Sequence, residues 1–237
     1  MSTITENLQA VAEAIGAATA EARRPRDSVR LLAVSKTFGP EAVIEAARAG
    51  QRAFGENYVQ EGIDKIATVN AALPDASLEW HFIGPIQSNK TRPIAEHFDW
   101  VHTVEREKIA QRLAEQRPAA REPLNVCLQV NISGEASKSG VAPGQVAALA
   151  RVVAGLPQLR LRGLMAIPEP TEDFAAQRAA FAALRALYDE LCAQGFVLDT
   201  LSMGMSADLR AAIIEGATIV RVGSAIFGAR HYNKGQA

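Results

Sequence analysis

Short apolar runs alternate with stretches of helical periodicity along the whole chain. A leading helix is predicted over residues 3–22, where Ile4, Leu8, Val11, Ile15 and Ala22 recur at helical spacing. Residues 30–36 follow as a strand. Leu31, Leu32, Ala33 and Val34 run into Ser35 and Lys36, and Thr37-Phe38-Gly39-Pro40 then breaks the run. An apolar run bounded by turn residues is the signature of a strand buried in a parallel sheet. Pro40 opens the next helix, carried by Val43, Ala46 and Ala47 and stopped by Gly50.

The strand-then-helix unit recurs to the end. Further strands are predicted at 52–56, 80–84, 100–103, 124–132, 161–167, 200–204 and 219–222, with 124–132 the longest. Helices fall between them: on Val59, Ile63, Ile66, Val69 and Leu73, around 89–97, on Ile109 and Leu113, and from Pro143 to Val153. Two more run from Phe174 to Leu191 and over 209–215. A small, polar, glycine-rich loop spans 133–140, and a turn with a short polar tail follows the last strand. Strict alternation implies parallel strands with right-handed crossovers, and eight units match a closed barrel. An open doubly wound sheet competes, but no Gly-x-Gly-x-x-Gly turn follows the first strand. The expected architecture is α/β: a single (β/α)8 TIM-type barrel with an extra N-terminal helix, one domain over 1–237.

Composition changes this picture little. The chain of 237 residues is 48% hydrophobic and 22% charged, which is ordinary for a folded domain and argues against disorder. Net charge is −1, so nothing draws the chain to nucleic acid or an anionic membrane. Two cysteines in unrelated contexts make neither a disulfide framework nor a metal site. No signal-peptide pattern opens the sequence and no run is long enough to span a bilayer, so a soluble, cytoplasmic protein is expected.

Barrels of this kind carry their chemistry at the C-terminal ends of the strands, often with a phosphate held after strands seven and eight. Lys36 stands at the end of the first strand, where a buried ammonium is costly unless something uses it. Ser206 is placed to cap the helix after strand seven. Gly223 and Ser224 follow strand eight, offering a close backbone approach and a hydroxyl. Arg221, inside the last strand, is either a donor across the barrel mouth or one half of an ion pair with Glu56. Asn57 either reaches the same mouth or caps a helix. His81 reads as a core or mouth histidine, and His97, His102 and His231 have no ligand spacing, so no metal is expected. Lys90 and Arg92 read as a solvated helix face. A strand-end amine and a phosphate cradle suggest a phosphorylated aldehyde, and pyridoxal 5′-phosphate carries both groups. A sugar phosphate bound as in an aldolase-like barrel is the other reading.

At these residues the chain resembles the pyridoxal phosphate homeostasis proteins (YggS/PROSC family). The likeness runs through LLAVSKT at 31–37, FGENYVQE at 54–61, WHFIGP at 80–85 and QSNK at 87–90. It continues through LRGLMAI at 161–167, LSMGMS at 201–206 and VRVGSAIFGAR at 220–230. The resemblance implies a barrel like the N-terminal domain of alanine racemase, with pyridoxal phosphate held as an internal aldimine on Lys36. It implies phosphate contacts at Ser206, Gly223 and Ser224, Arg221 facing the pyridine nitrogen, and Asn57 beside the ring. Lys138 matches a lysine linked to cofactor release. The resemblance implies a non-catalytic role in cofactor homeostasis and delivery and in amino-acid and keto-acid balance. Apo-enzymes would accept the cofactor from a monomer that binds no nucleic acid or membrane. A weak amino-acid racemase or lyase is the alternative. Arginine at the ring nitrogen and the absence of a second, C-terminal domain both weigh against it.

Overall fold

The computed structural model describes residues 3–134 and 139–228. Helix α1 (Ile4–Glu21) opens on a capping box: the Thr3 hydroxyl accepts from the Glu6 amide, and the Glu6 carboxylate accepts from the Thr3 amide. Strands β1 (Arg30–Val34), β2 (Ala53–Glu56), β3 (Glu79–Phe82) and β4 (Trp100–Val104) alternate with α2 (Pro40–Arg48), α3 (Val59–Ala72) and α4 (Thr91–His97). Helices α5 (Glu107–Gln116), α6 (Val146–Ala154), α7 (Phe174–Ala193) and α8 (Leu209–Ile214) follow in turn. Between and after them run β5 (Leu124–Gln129), β6 (Leu159–Met165), β7 (Thr200–Ser202) and β8 (Ile219–Val222). A one-turn helix, α9 (Ser224–Phe227), ends the described chain.

The eight strands are parallel and close in chain order, β8 returning to β1 with Ala33 opposite Val222. The expected barrel and its leading helix are therefore present. Side-chain alternation sorts each strand into two faces. Ala33, Phe54, Phe82, Val101, Val126, Leu164, Leu201 and Val220 pack outward into the core beneath the helices. Leu32, Ala53 and Ile219 pack inward, as do Trp100, Cys127 and Met165. By the same parity Lys36, Asn57, Arg221 and Gly223 fall on the inward series of their strands.

The boundaries differ in three places. β5 stops at Gln129 rather than running to 132, because Val130 leaves the sheet in a lone bridge to Val141 and the Asn131 side chain turns back to the Gly134 amide. β6, with seven residues, is longer than β5, with six. The turn after β8 closes into α9, which packs with α8 against α1. Among the described residues, no helix is long and apolar enough to cross a membrane.

Gly84, just after β3, lets the chain pass over Asn57: a Cβ there would lie 2.1 Å from the Asn57 carbonyl oxygen. Because the obstacle is backbone, Gly84→Ala should cost about 3 kcal/mol, near the upper end for overpacking. That lowers the melting temperature by roughly 6–12 °C. Gly144→Ala, where a methyl meets nothing within 4 Å, should stay within about 0.5 kcal/mol. Equal melting temperatures for the two variants would contradict this placement.

Candidate functional site

Lys36 lies half-buried in a turn at the end of β1. The Phe38 amide donates to the Ser35 carbonyl at 3.1 Å, and Thr37 takes φ = 69°. A positive φ at the second central residue is normally glycine's place, and a β-branched side chain is strained there. The turn is braced from behind the sheet. Ser35 and Glu56 face outward, where the Ser35 hydroxyl donates to Glu56 Oε1 at 2.6 Å. Lys65 Nζ, on α3, donates to Glu56 Oε1 at 2.7 Å, to the Ser35 carbonyl at 2.8 Å and to Glu61 Oε1 at 3.1 Å. Glu61 Oε1 also accepts from the Thr37 amide at 2.6 Å. Glu56 is fully buried and Lys65 only 3% exposed. Burial pushes the Glu56 carboxyl up, while the Lys65 charge beside it pulls the other way.

Arg221 points into the barrel and is 4% exposed. It donates to the Ser202 carbonyl (2.7 Å), the Ser202 hydroxyl (2.9 Å) and the Ala166 carbonyl (3.0 Å). A guanidinium has five N–H groups, so two remain for a further acceptor. Burial draws its pKa down to about 10, which leaves it charged at neutral pH. The ion pair with Glu56 that the sequence allowed does not form, because the two side chains lie on opposite faces of the sheet. Behind Arg221 a string of polar groups continues through the interior. His102 Nδ1 lies 2.7 Å from Ser202 Oγ, and His81 Nδ1 lies 2.8 Å from His102 Nε2. His81 Nε2 is buried with no hydrogen-bond partner and lies 3.9 Å from the Glu79 carboxylate, whose charge favours a proton on that nitrogen. The order is then Ser202 O–H to His102 Nδ1 and His102 Nε2–H to His81 Nδ1, leaving Ser202 lone pairs for Arg221.

Gly223 lies beside the end of β1: a Cβ there would meet the Val34 carbonyl oxygen at 3.0 Å. Phe38 and Phe227 lean together across the same seam, ring centroids 5.2 Å apart. The Lys36 turn and the Gly223–Ser224 loop are therefore neighbours, with Ser224 exposed at the start of α9. Asn57 does not cap α3, whose N-cap is Tyr58, and its buried Oδ1 has no hydrogen-bond partner. Ser206 does not cap α8 either. The Asp208 carboxylate accepts from the Met205 amide and closes a turn over 205–208, so the helix starts only at Leu209 and Ser206 is an exposed turn residue. Lys90 and Arg92 are exposed, as expected. Lys138 and His231 lie outside the described residues. Among the described residues, no group of three or more His, Cys, Asp or Glu side chains could hold a metal ion.

Sequence reasoning passed over Lys65, Glu56 as its partner, and the His81–His102–Ser202 string. Lys65 had a signal: it sits on the buried stripe of α3 with Gly62, Ile66 and Val69. The string had none, since its members come from β3, β4 and β7.

These residues fit a phosphorylated pyridine aldehyde. The amine, the two spare N–H groups of Arg221, the orphaned Asn57 oxygen and the tight Gly223 backbone belong to neighbouring strand ends of one barrel.

Comparison with known proteins points the same way. The family profile described as alanine racemase, N-terminal domain, matches residues 6–231. The chain is 65% identical to the pyridoxal phosphate homeostasis protein of Pseudomonas aeruginosa over 98% of both chains. It is 52% identical to the protein of that name from Escherichia coli, over 99% of this chain and 100% of the other. The structure of PipY from Synechococcus elongatus with PLP bound superposes with a TM-score of 0.81 at 39% identity, covering 95% of this chain and 100% of that one. An alanine racemase of Clostridium difficile shares the fold alone, with a TM-score of 0.69 at 15% identity over 88% of this chain and 54% of that one.

The histidine string makes stability depend on pH. Burial lowers the pKa of both His81 and His102, so the folded chain binds these protons more weakly than the unfolded one. Their contribution is complete above the ordinary histidine value of about 6.5 and is lost as pH falls from there through the depressed folded values. The melting temperature should therefore fall between pH 7.5 and 5.5, and His81→Gln with His102→Gln should flatten that slope. An unchanged slope in the double variant would show that other groups set it.

Proposed function

The chain belongs to the pyridoxal phosphate homeostasis family, built on the alanine racemase N-terminal domain, and we propose that it is a non-catalytic holder and donor of pyridoxal 5′-phosphate. In this reading it keeps the free cofactor low in the cytoplasm and supports amino-acid and keto-acid balance. It works as one barrel domain and a monomer, with apo-enzymes as recipients. Two free cysteines accord with a reducing compartment.

The observation that carries the reading is the seam between β8 and β1, where the Lys36 turn lies against the Gly223–Ser224 loop. Pyridoxal phosphate, when bound, supplies an aldehyde to an amine, a ring nitrogen to a donor and a phosphate to N–H and O–H groups. Lys36 is the amine that holds the aldehyde carbon covalently. Gly223 lets the backbone approach the phosphate, and the exposed Ser224 and Ser206 hydroxyls donate to it. Arg221 donates to the ring nitrogen through an N–H that Ser202 and Ala166 do not use, and Asn57 lies beside the ring. Arg221 is fixed and has no acceptor capacity, so the nitrogen it faces stays unprotonated. That weakens the electron withdrawal on which amino-acid chemistry depends, and supports holding over turnover.

Borohydride reduction of the loaded protein, followed by peptide mapping, should find the pyridoxyl phosphate mass on Lys36. Lys36→Ala should lose the visible absorbance and the adduct while melting within a few degrees of wild type. An unchanged spectrum in Lys36→Ala would refute the assignment, and a sugar-phosphate mass would favour the aldolase-like reading. Ser206→Ala with Ser224→Ala should lose cofactor faster on dialysis, by about a hundredfold for two hydrogen bonds to a charged group at about 1.5 kcal/mol each. Equal retention would move the phosphate elsewhere. Steady turnover of either enantiomer of any amino acid, above the rate of free cofactor, would replace this reading with that of a weak racemase or lyase.

A further inference from the structure

We propose that Glu61 and Lys65 are positioning residues that aim the Lys36 amine by gripping the peptide groups on either side of it. The inference rests on Lys36 being the anchoring amine.

Neither side chain need touch Lys36 to act. Lys65 holds the Ser35 carbonyl, one peptide before Lys36, and Glu61 holds the Thr37 amide, one residue after it. The two grips are joined, because Lys65 also donates to the same Glu61 oxygen. Lys65 has three N–H groups, and all three are spent on Ser35, Glu56 and Glu61. It is therefore a fully satisfied ammonium rather than a second reactive amine. Glu56, buried beneath it, fixes Lys65 and takes the Ser35 hydroxyl as well.

The turn needs this grip. Thr37 stands at φ = 69°, a conformation that a β-branched residue leaves unless something holds it. The Glu61 contact to its amide, at 2.6 Å, is a charge-assisted bond of the stronger kind. Releasing Thr37 to negative φ would rotate the peptide that follows Lys36 and swing its side chain relative to the Gly223–Ser224 loop. A clamp on strained backbone thus sets where the amine stands. It also gives the cofactor a route to leave, by opening of the turn rather than of the barrel.

The test separates positioning from mere support of the fold. Lys65→Met would leave Glu56 buried and unpaired and is expected to misfold, so Glu61, whose side chain is 34% exposed, is the residue to change. Glu61→Ala should speed amide exchange at Thr37 about tenfold in the cofactor-free chain. The loaded variant, moved into excess hydroxylamine, should lose Lys36-linked cofactor about tenfold faster. The melting temperature should stay within a few degrees of wild type. Adding Thr37→Gly should bring retention back to within about threefold of wild type, because glycine takes positive φ without strain.

Borohydride mapping of the wild type comes first. Cofactor on a lysine other than 36 would sink the reading beneath this one and the clamp with it. Cofactor on Lys36, with Glu61→Ala exchanging and releasing at wild-type rates, would sink the clamp alone. So would a loss of retention that tracks a fall in melting temperature and is not recovered by Thr37→Gly.

Discussion

Closure of the barrel between its last strand and its first is the constraint on which the site depends. Ala33 must pair opposite Val222 for Lys36 and the Gly223–Ser224 loop to meet. Chain-entropy scaling puts the cost of bringing such distant residues together at roughly 5 kcal/mol, beyond what ordering each residue costs. The leading helix helps to offset it. α1 lies on α8 and α9, Asn7 donates to the Ile226 carbonyl, and Arg24 donates to the Ile213 carbonyl. The N-terminal segment thereby straps down the elements that follow β7 and β8. A barrel of eight units does not require an extra helix, and this contact explains why the chain keeps one.

Two polar assemblies then divide the work on either side of the sheet. Outside it, the Glu56–Lys65–Glu61 group braces the Lys36 turn. Inside it, Ser202 and the histidines behind it hold Arg221. Each assembly buries charge or imidazole, which is unfavourable in itself, so neither is explained by stability. Their common effect is to fix structure at the strand ends: the turn that carries Lys36 in one case and the Arg221 guanidinium in the other. The interior string adds direction. With a proton on His81 Nε2, each hydrogen bond sets the next, and the Ser202 oxygen is left turned to Arg221.

Much of this was legible in the chain, and what was not has identifiable causes. The strand-end lysine is readable because four apolar residues run straight into it. The barrel is readable because the alternation never breaks. Arg221 was visible as an ion inside an apolar strand, but its partners were not, since inward and outward faces depend on register. The reading of Ser206 as a helix N-cap fails because Asp208, two residues on, competes for the same turn and closes it. The overlong reading of β5 has a similar cause: Val130 is apolar enough to continue the strand, yet the Asn131 turn ends it. Pairs such as Lys65 with the Ser35 carbonyl join residues far apart in sequence and leave no local pattern.

The likeness to alanine racemase lies in the fold, at 15% identity, whereas the likeness to the pyridoxal phosphate homeostasis proteins extends through the whole chain. Under the proposed reading, the barrel keeps a cradle for the cofactor without the electronics for catalysis. A crystal structure of the protein grown with pyridoxal phosphate tests this most directly. The account predicts density continuous from Lys36 Nζ to the cofactor, the ring nitrogen within hydrogen-bond distance of Arg221, and the phosphate against Gly223 and Ser224. A ring lodged away from Lys36, or a phosphate away from the loops after β7 and β8, would contradict it.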